Sequence, residues 1–390
     1  MYRFDRVVPR EAGNAEKYAL RKKLFGTEDL LPMWVADMDI ETAPCVVRAV
    51  QERAKHPIYG YEEMPDAAFE AQIGWMERRH GAHLEREWML YSPSVVATLN
   101  VAIQAFTAPG DKVVVQPPVY PPFFKSVEQN GREVVNNPLR RTETGEYTFD
   151  FDDLLAKIDA RTKLLLLCSP HNPVGRVWRE EELRRLAEIC LEHGIRVVAD
   201  EIHSDLVFAP HRHLPFISLG EAVRDITLTA LGPGKTFNVA GLSISTVCIP
   251  DPQMRDRFKA VYDSIHFAQG TIFGHAGFEA AYREGGAWLE ALLEHLAGNL
   301  GALLNVVGKY PGKIALRPPE GSYLAWLECS GMGLGGRELR RFFIEEAKLG
   351  LTPGSSFGKG GAGFMRMNIA VPAPVMEEAL RRLGHALERL

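Results

Sequence analysis

The sequence predicts an α/β fold: a large domain on a mostly parallel sheet with helices on both faces, joined to a smaller α+β domain. From about residue 50 to 285, short runs rich in Val, Ile and Leu alternate with longer helix-period segments. Strand and helix in repetition build a parallel sheet covered on both faces. The length, 390 residues, exceeds the common size of one domain, so a large and a smaller unit is the expected division. After Gly285 and Gly286 the alternation stops.

The strand-like runs are KVVVQPP, KLLLLCSP, IRVVADE, DITLTALG and STVCIP. In YSPSVVATLNVAIQAF a helix begins near Ser94. From Glu181 to Gly194, residues Leu183, Leu186, Ala187, Ile189 and Cys190 follow helical spacing and Gly194 supplies the stop. Beyond Gly286 come a long helix (AWLEALLEHLAGNLGALLNVV), EGSYLAWLE, another helix, the loop TPGSSFGKGGAGF, the strand FMRMNIA and a terminal helix. Residues 50–285 are therefore read as the large domain, and residues 1–49 with 286–390 as the small one.

Composition excludes several functions. The net charge of −5 and a pI near 6.2 show no basic excess, and no Lys/Arg run alternates with aromatics, which argues against a nucleic-acid partner. The five cysteines lie far apart with no CxxC pair, against a disulfide framework or zinc site; Cys168 and Cys248 read as core residues. The N-terminus has no apolar leader and no window approaches the roughly 18 apolar residues of a membrane span, so a cytoplasmic protein without a membrane partner is expected. The HRH at 211–213 lacks a third ligand at metal spacing and reads as a loop of solvated histidines, so no metal is expected.

In open α/β sheets, ligands sit at the carboxyl ends of the strands. After KVVV the chain offers Tyr120, after KLLLLC Asn172, after IRVVA Asp200 and His203, and after DITLTA Lys235 within LGPGKTFN. The GKT of that last stretch could close a phosphate-binding P-loop. The glycine such a loop needs falls on Thr229, however, and Pro233 removes a donor, so that reading fails. An amine, a carboxylate, an amide and an aromatic ring together suit pyridoxal phosphate. Each has a plainer reading: Lys235 as a loop cap, Asp200 as an N-cap or ion pair, Asn172 as a turn residue, Tyr120 as packing, His203 as a core histidine. Glu201 reads as structural. Ser204 and Asp205 are triad residue types, but adjacent residues do not make a triad.

From Leu31 onward, LPMWVADMD, YGY, YSPSVV, PPVYPPF, LLCSPHNPVGRVW, VVADEIHSD, KTFNVAGL, SYLAWLE and FMRMNIAVP occur in order. The chain resembles the fold-type I, pyridoxal-phosphate-dependent aminotransferases of class I/II, and among them the MalY/PatB-type cystathionine β-lyases, or cysteine C–S lyases. That resemblance implies a seven-stranded sheet in the large domain, pyridoxal 5'-phosphate as cofactor, and an amino-acid substrate. It implies Lys235 as Schiff-base lysine and base at Cα, Asp200 as partner of the pyridinium nitrogen, and Asn172 at the phenolic oxygen. Tyr120 is implied as the stacking ring, and Arg366 as clamp of the substrate carboxylate, with a structural ion pair as its rival. His203 stands where many relatives carry a tyrosine near the phenolic oxygen. The N–H groups of Val95 and Val96, with the Ser94 hydroxyl, are implied to bind the phosphate at a helix start.

Tyr61, rather than Tyr59, is implied to reach the neighbouring subunit's phosphate, hence a homodimer with shared sites; surface packing is the plain reading of both. The backbone around Ala36 and Asp37 is expected to close over substrate. The implied reaction is α,β-elimination from L-cystathionine or a related cysteine S-conjugate to pyruvate, ammonia and a thiol. Transamination by the same residues is the alternative, and regulatory protein binding a lesser one. The chain departs from the pattern at Gly232 and Gly234, where relatives commonly carry phosphate-binding hydroxyls; Thr229, Thr236, Ser243 and Ser94 are the candidate substitutes.

Overall fold

A computed structural model of the chain describes residues 2–266 and 270–390. Its central sheet has seven strands: β1 (Met89–Ser92), β2 (Lys112–Val115), β3 (Glu133–Asn136), β4 (Thr162–Cys168), β5 (Arg196–Asp200), β6 (Thr227–Leu231) and β7 (Ser245–Cys248). Their spatial order is β1-β7-β6-β5-β4-β2-β3. All neighbours from β6 to β3 pair in parallel, while β7 runs antiparallel to both β1 and β6. The fold class expected from the sequence is the one observed.

The period of two explains why these runs are strands. Val113, Val115, Leu164, Leu166 and Val198 face one apolar layer, and their neighbours Val114, Leu165, Leu167, Val197 and Ala199 face the other. A sheet buried on both faces needs apolar side chains at every position, hence the uninterrupted runs. The strands β1 and β3, absent from the runs quoted above, are the two edges. Leu90 and Tyr91 of the first and Glu133, Val134 and Asn136 of the second are not fully buried, so their sequences lack a continuous apolar signal.

A helix over Val95–Phe106 follows β1, capped by Ser94, whose Oγ accepts from the Ala97 N–H at 3.2 Å. The helix expected over 181–194 spans Glu180–Glu192 and ends where Gly194 adopts φ +65°. The P-loop candidate is a single turn, Pro233–Thr236, at the end of β6.

A second sheet follows in the last quarter: β8 (Ala315–Leu316), β9 (Leu324–Glu328), β10 (Thr352–Pro353) and β11 (Phe364–Asn368), ordered β8-β9-β11-β10 and antiparallel throughout. The helices Gly286–Val307 and Ala373–Arg389 pack on one another beside it. The N-terminal segment joins this unit, with Leu31–Pro32 pairing in parallel with Leu349–Gly350. The helix Pro44–Ala54 packs instead on Ile272–Glu284. Among the described residues no helix is long and apolar enough to cross a membrane.

Candidate active site

The carboxyl ends of β4, β5 and β6 and the start of the helix Val95–Phe106 surround a cavity of about 180 Å³. Ser94, Val95, Val96, Tyr120, Asn172, Asp200, His203 and Lys235 all line it. Arg366 reaches the same place from β11: its Nη1 donates to Asn172 Oδ1 at 3.1 Å and its Nη2 to the Trp34 carbonyl at 2.8 Å. Tyr61 lies outside, fully exposed, while Tyr59 donates its hydroxyl to the Ala54 carbonyl and packs edge-on against Phe273.

Each polar group at this site is under electrostatic tension. Asp200 ends β5, is 4% exposed and accepts one bond, from the Ile202 N–H at 3.1 Å. Burial raises its pKa to about 7, against a smaller opposing pull from Lys235. Lys235 Nζ donates to the Ala36 carbonyl at 2.6 Å. Burial, then the charge of Arg366, lowers its pKa to about 8. Arg366 is lowered to about 10 by burial, and its Nε has no partner among the described residues. Its bonds go to an amide and a carbonyl, and among the described residues no carboxylate pairs with it, so the ion-pair reading lacks its acid. Burial lowers His203 to about 3, so the ring is neutral; its Nδ1 has no partner among the described residues, and the ring packs edge-to-face with Tyr323 at 5.9 Å.

The segment Trp34–Met38 crosses this site with its carbonyls engaged in sequence. Trp34 accepts from Arg366 and Thr352, Val35 from Asn368, Ala36 from Lys235 and Tyr323, Asp37 from Lys17 and Asn368, and Met38 from Asn238 and Arg10. Asp37 and Asp39 anchor it through Arg10 and the fully buried Lys17. Ala36, expected with Asp37 to close over substrate, lines the cavity, but nothing in their residue types showed that this segment's carbonyls would bind both Lys235 and Arg366.

Two sequence expectations need correction. His213 is not a solvated loop residue: it is buried, with Nε2 3.1 Å from Glu201 Oε2. Of the four candidate phosphate donors, Thr236 donates to Asp205, the buried Thr229 hydroxyl has no partner among the described residues, and Ser243 is exposed; of the four, Ser94 alone lines the cavity. Cys168 is a core residue that also lines the cavity, its Sγ accepting from the Asn172 N–H at 3.4 Å.

Ser245 was missed and explains Gly232. A Cβ at position 232 would lie 2.9 Å from Ser245 Cβ, so the serine occupies that space. At Gly234 the nearest atom to a Cβ would be Ala240 Cα at 3.7 Å, which leaves room. Among the described residues no group of three or more His, Cys, Asp or Glu could hold a metal ion.

The donor set fits pyridoxal phosphate. A buried carboxylate short of a positive partner suits a protonated ring nitrogen, a helix start with a hydroxyl cap suits a phosphate, and a partly neutral lysine suits an aldehyde. The model for class I and II aminotransferases matches residues 28–383, and the chain belongs to that family. It is 42% identical over 385 residues to the cystathionine beta-lyase PatB of Bacillus subtilis (strain 168), covering 98% of this chain and 99% of that protein. The crystal structure of cystalysin from Treponema denticola, which contains pyridoxal 5'-phosphate, superposes with a TM-score of 0.96 at 31% identity, covering 100% of this chain and 99% of that one. The PLP-bound C–S lyase of Staphylococcus hominis gives 0.90 at 32% identity, covering 99% and 98%.

Proposed function

We propose that the chain is a pyridoxal-phosphate-dependent C–S lyase that eliminates a thiol from L-cystathionine or a related cysteine S-conjugate. The observation that carries this is the meeting, in one cavity, of a lysine lowered to about 8 with a buried carboxylate and a buried arginine lacking an acid. When bound, the cofactor supplies an electron sink for the charge left when the substrate Cα loses a proton.

The chain's own residues do the rest. Asp200 would hold the ring nitrogen, Tyr120 and His203 the ring, and Asn172 its phenolic oxygen. The N–H groups of Val95 and Val96, with Ser94, would hold the phosphate. Arg366 presents two Nη groups now given to weak neutral acceptors, and a substrate carboxylate is a stronger acceptor for both. Lys235, lowered to about 8, takes the Cα proton in its neutral form. The Cβ–S bond then breaks, the sulfur leaves with the bonding pair and is protonated, and the freed enamine hydrolyses to pyruvate and ammonia.

Similarity to PatB over nearly the whole of both chains supports elimination over amino transfer. We read the assembly as a homodimer in which the exposed Tyr61 of one protomer serves its partner's phosphate, and residues 50–285 as the cofactor-binding domain. The test is incubation of the purified protein with cystathionine and no keto-acid acceptor. Pyruvate, ammonia and homocysteine in equal amounts are expected, and Lys235→Ala should abolish both turnover and the cofactor's visible absorbance band. Product only in the presence of a keto acid would make the protein an aminotransferase.

A further inference from the structure

Two signals set aside in the sequence, Asp205 and His213 of the HRH stretch, meet in one buried cluster beside the site. Asp205 is 4% exposed and its two oxygens divide their partners. Oδ1 lies 2.9 Å from Trp75 Nε1, 2.8 Å from His80 Nε2 and 3.3 Å from Arg79 Nε, all on the helix Asp66–His80. Oδ2 accepts from Thr236 Oγ1 at 2.9 Å. The carboxylate therefore bridges a long helix to the residue next to Lys235. The His80 ring meets the His213 ring edge-on at 5.5 Å, and His213 pairs with Glu201, the neighbour of Asp200.

Burying a carboxylate is costly unless donors surround it. Burial pushes Asp205 up, but its bonds to His80 and Trp75 and the charge of Arg79 outweigh this and hold it below the usual carboxylate range. The cost has a local use. Lys235 stands on the single turn Pro233–Thr236, directly after Gly234 and three residues after Gly232, and glycine leaves the backbone freer than any other residue. The turn is closed by the Phe237 N–H donating to the Pro233 carbonyl at 2.9 Å and the Val239 N–H to the Gly234 carbonyl at 3.1 Å. The Thr236 hydroxyl adds a tether to a rigid element.

We propose that Asp205 is a positioning residue for Lys235, fixing through the Thr236 hydroxyl the turn from which the amine enters the cavity. The inference rests on the lysine's role proposed above. It is tested in the full-length protein with Thr236→Val, Thr236→Ser and Asp205→Asn, and with Tyr282→Phe as a control that removes a different buried hydroxyl from the same core. Two quantities are read: kcat and KM of the holoenzyme on cystathionine, and the pH dependence of Lys235 labelling by trinitrobenzenesulfonate in the cofactor-free chain, followed by peptide mass spectrometry.

The wild-type lysine should label with a midpoint near pH 8. Thr236→Val and Asp205→Asn should move that midpoint up and lower kcat about tenfold at unchanged KM, as expected for one lost buried hydrogen bond. Thr236→Ser should restore both, and Tyr282→Phe should lower the melting temperature without moving either. Wild-type labelling and kcat in Thr236→Val would overturn the proposal, as would equal shifts in Tyr282→Phe. Absence of lyase activity in the wild type would instead overturn the C–S lyase reading, and the labelling series would still decide the positioning role.

Discussion

Asp200 shows how a single residue carries both a cost and a function. Unfolded, its carboxyl titrates in the ordinary range; folded, burial raises it to about 7. The stability it contributes is thus complete below its unfolded pKa and is lost as pH rises through about 7. The cofactor-free chain should therefore lose thermal stability between about pH 4 and pH 7, and Asp200→Asn should flatten that limb in a melting series while weakening cofactor binding. Arg366→Lys keeps the charge but loses the two-pronged donor, so KM should rise about 10- to 100-fold with a smaller fall in kcat, measured by steady-state kinetics. The glycines before Lys235 give a paired prediction. Gly234→Ser has room for its side chain and should tighten cofactor binding measured by fluorescence titration. Gly232→Ser meets Ser245 and should do so only in combination with Ser245→Gly. The family resemblance marks both glycines as departures, but Ser245, which fills the space beside Gly232 and not that beside Gly234, is thirteen residues beyond Gly232 and belongs to another strand.

At the scale of elements, the central strands were readable because burial on both faces demands apolar residues without a break. The edges β1 and β3 were not, since one face of an edge strand need not be apolar. The helix after Ser94 was readable from its cap. The segment Trp34–Met38 has no regular structure, and its function comes from carbonyls, which every residue type carries. Its anchorage is testable. Lys17 is fully buried with Asp39 Oδ2 3.0 Å from its amine, and Arg10 also bonds Asp39 at 2.5 Å. Asp39→Asn should cost about 3 kcal/mol, the low end for breaking a buried pair because Asp37 remains. Chemical denaturation should register that loss, and a raised KM should accompany it because Trp34 and Ala36 hold Arg366 and Lys235.

At the scale of the whole molecule, the site needs both sheets. The carboxyl ends of the central strands bring Asn172, Asp200 and Lys235, and β11 of the second sheet brings Arg366. Tyr61, exposed and outside the cavity, adds a testable statement about assembly. Sedimentation should give a dimer, and Tyr61→Phe should weaken cofactor affinity about tenfold at unchanged melting temperature, as loss of one charge-assisted hydrogen bond would do.

The sequence by itself determined the α/β class, the strand ends at which chemistry collects, and the residue types meeting there, because apolar periodicity and strand order are local and repeated. Only the tertiary structure decided that Arg366 has no acid partner among the described residues, that Ser245 fills the space beside Gly232, and that Asp205 grips Thr236. Each of those depends on which distant segments approach within a few ångströms, and the packing of one segment on another is not written in the spacing of either.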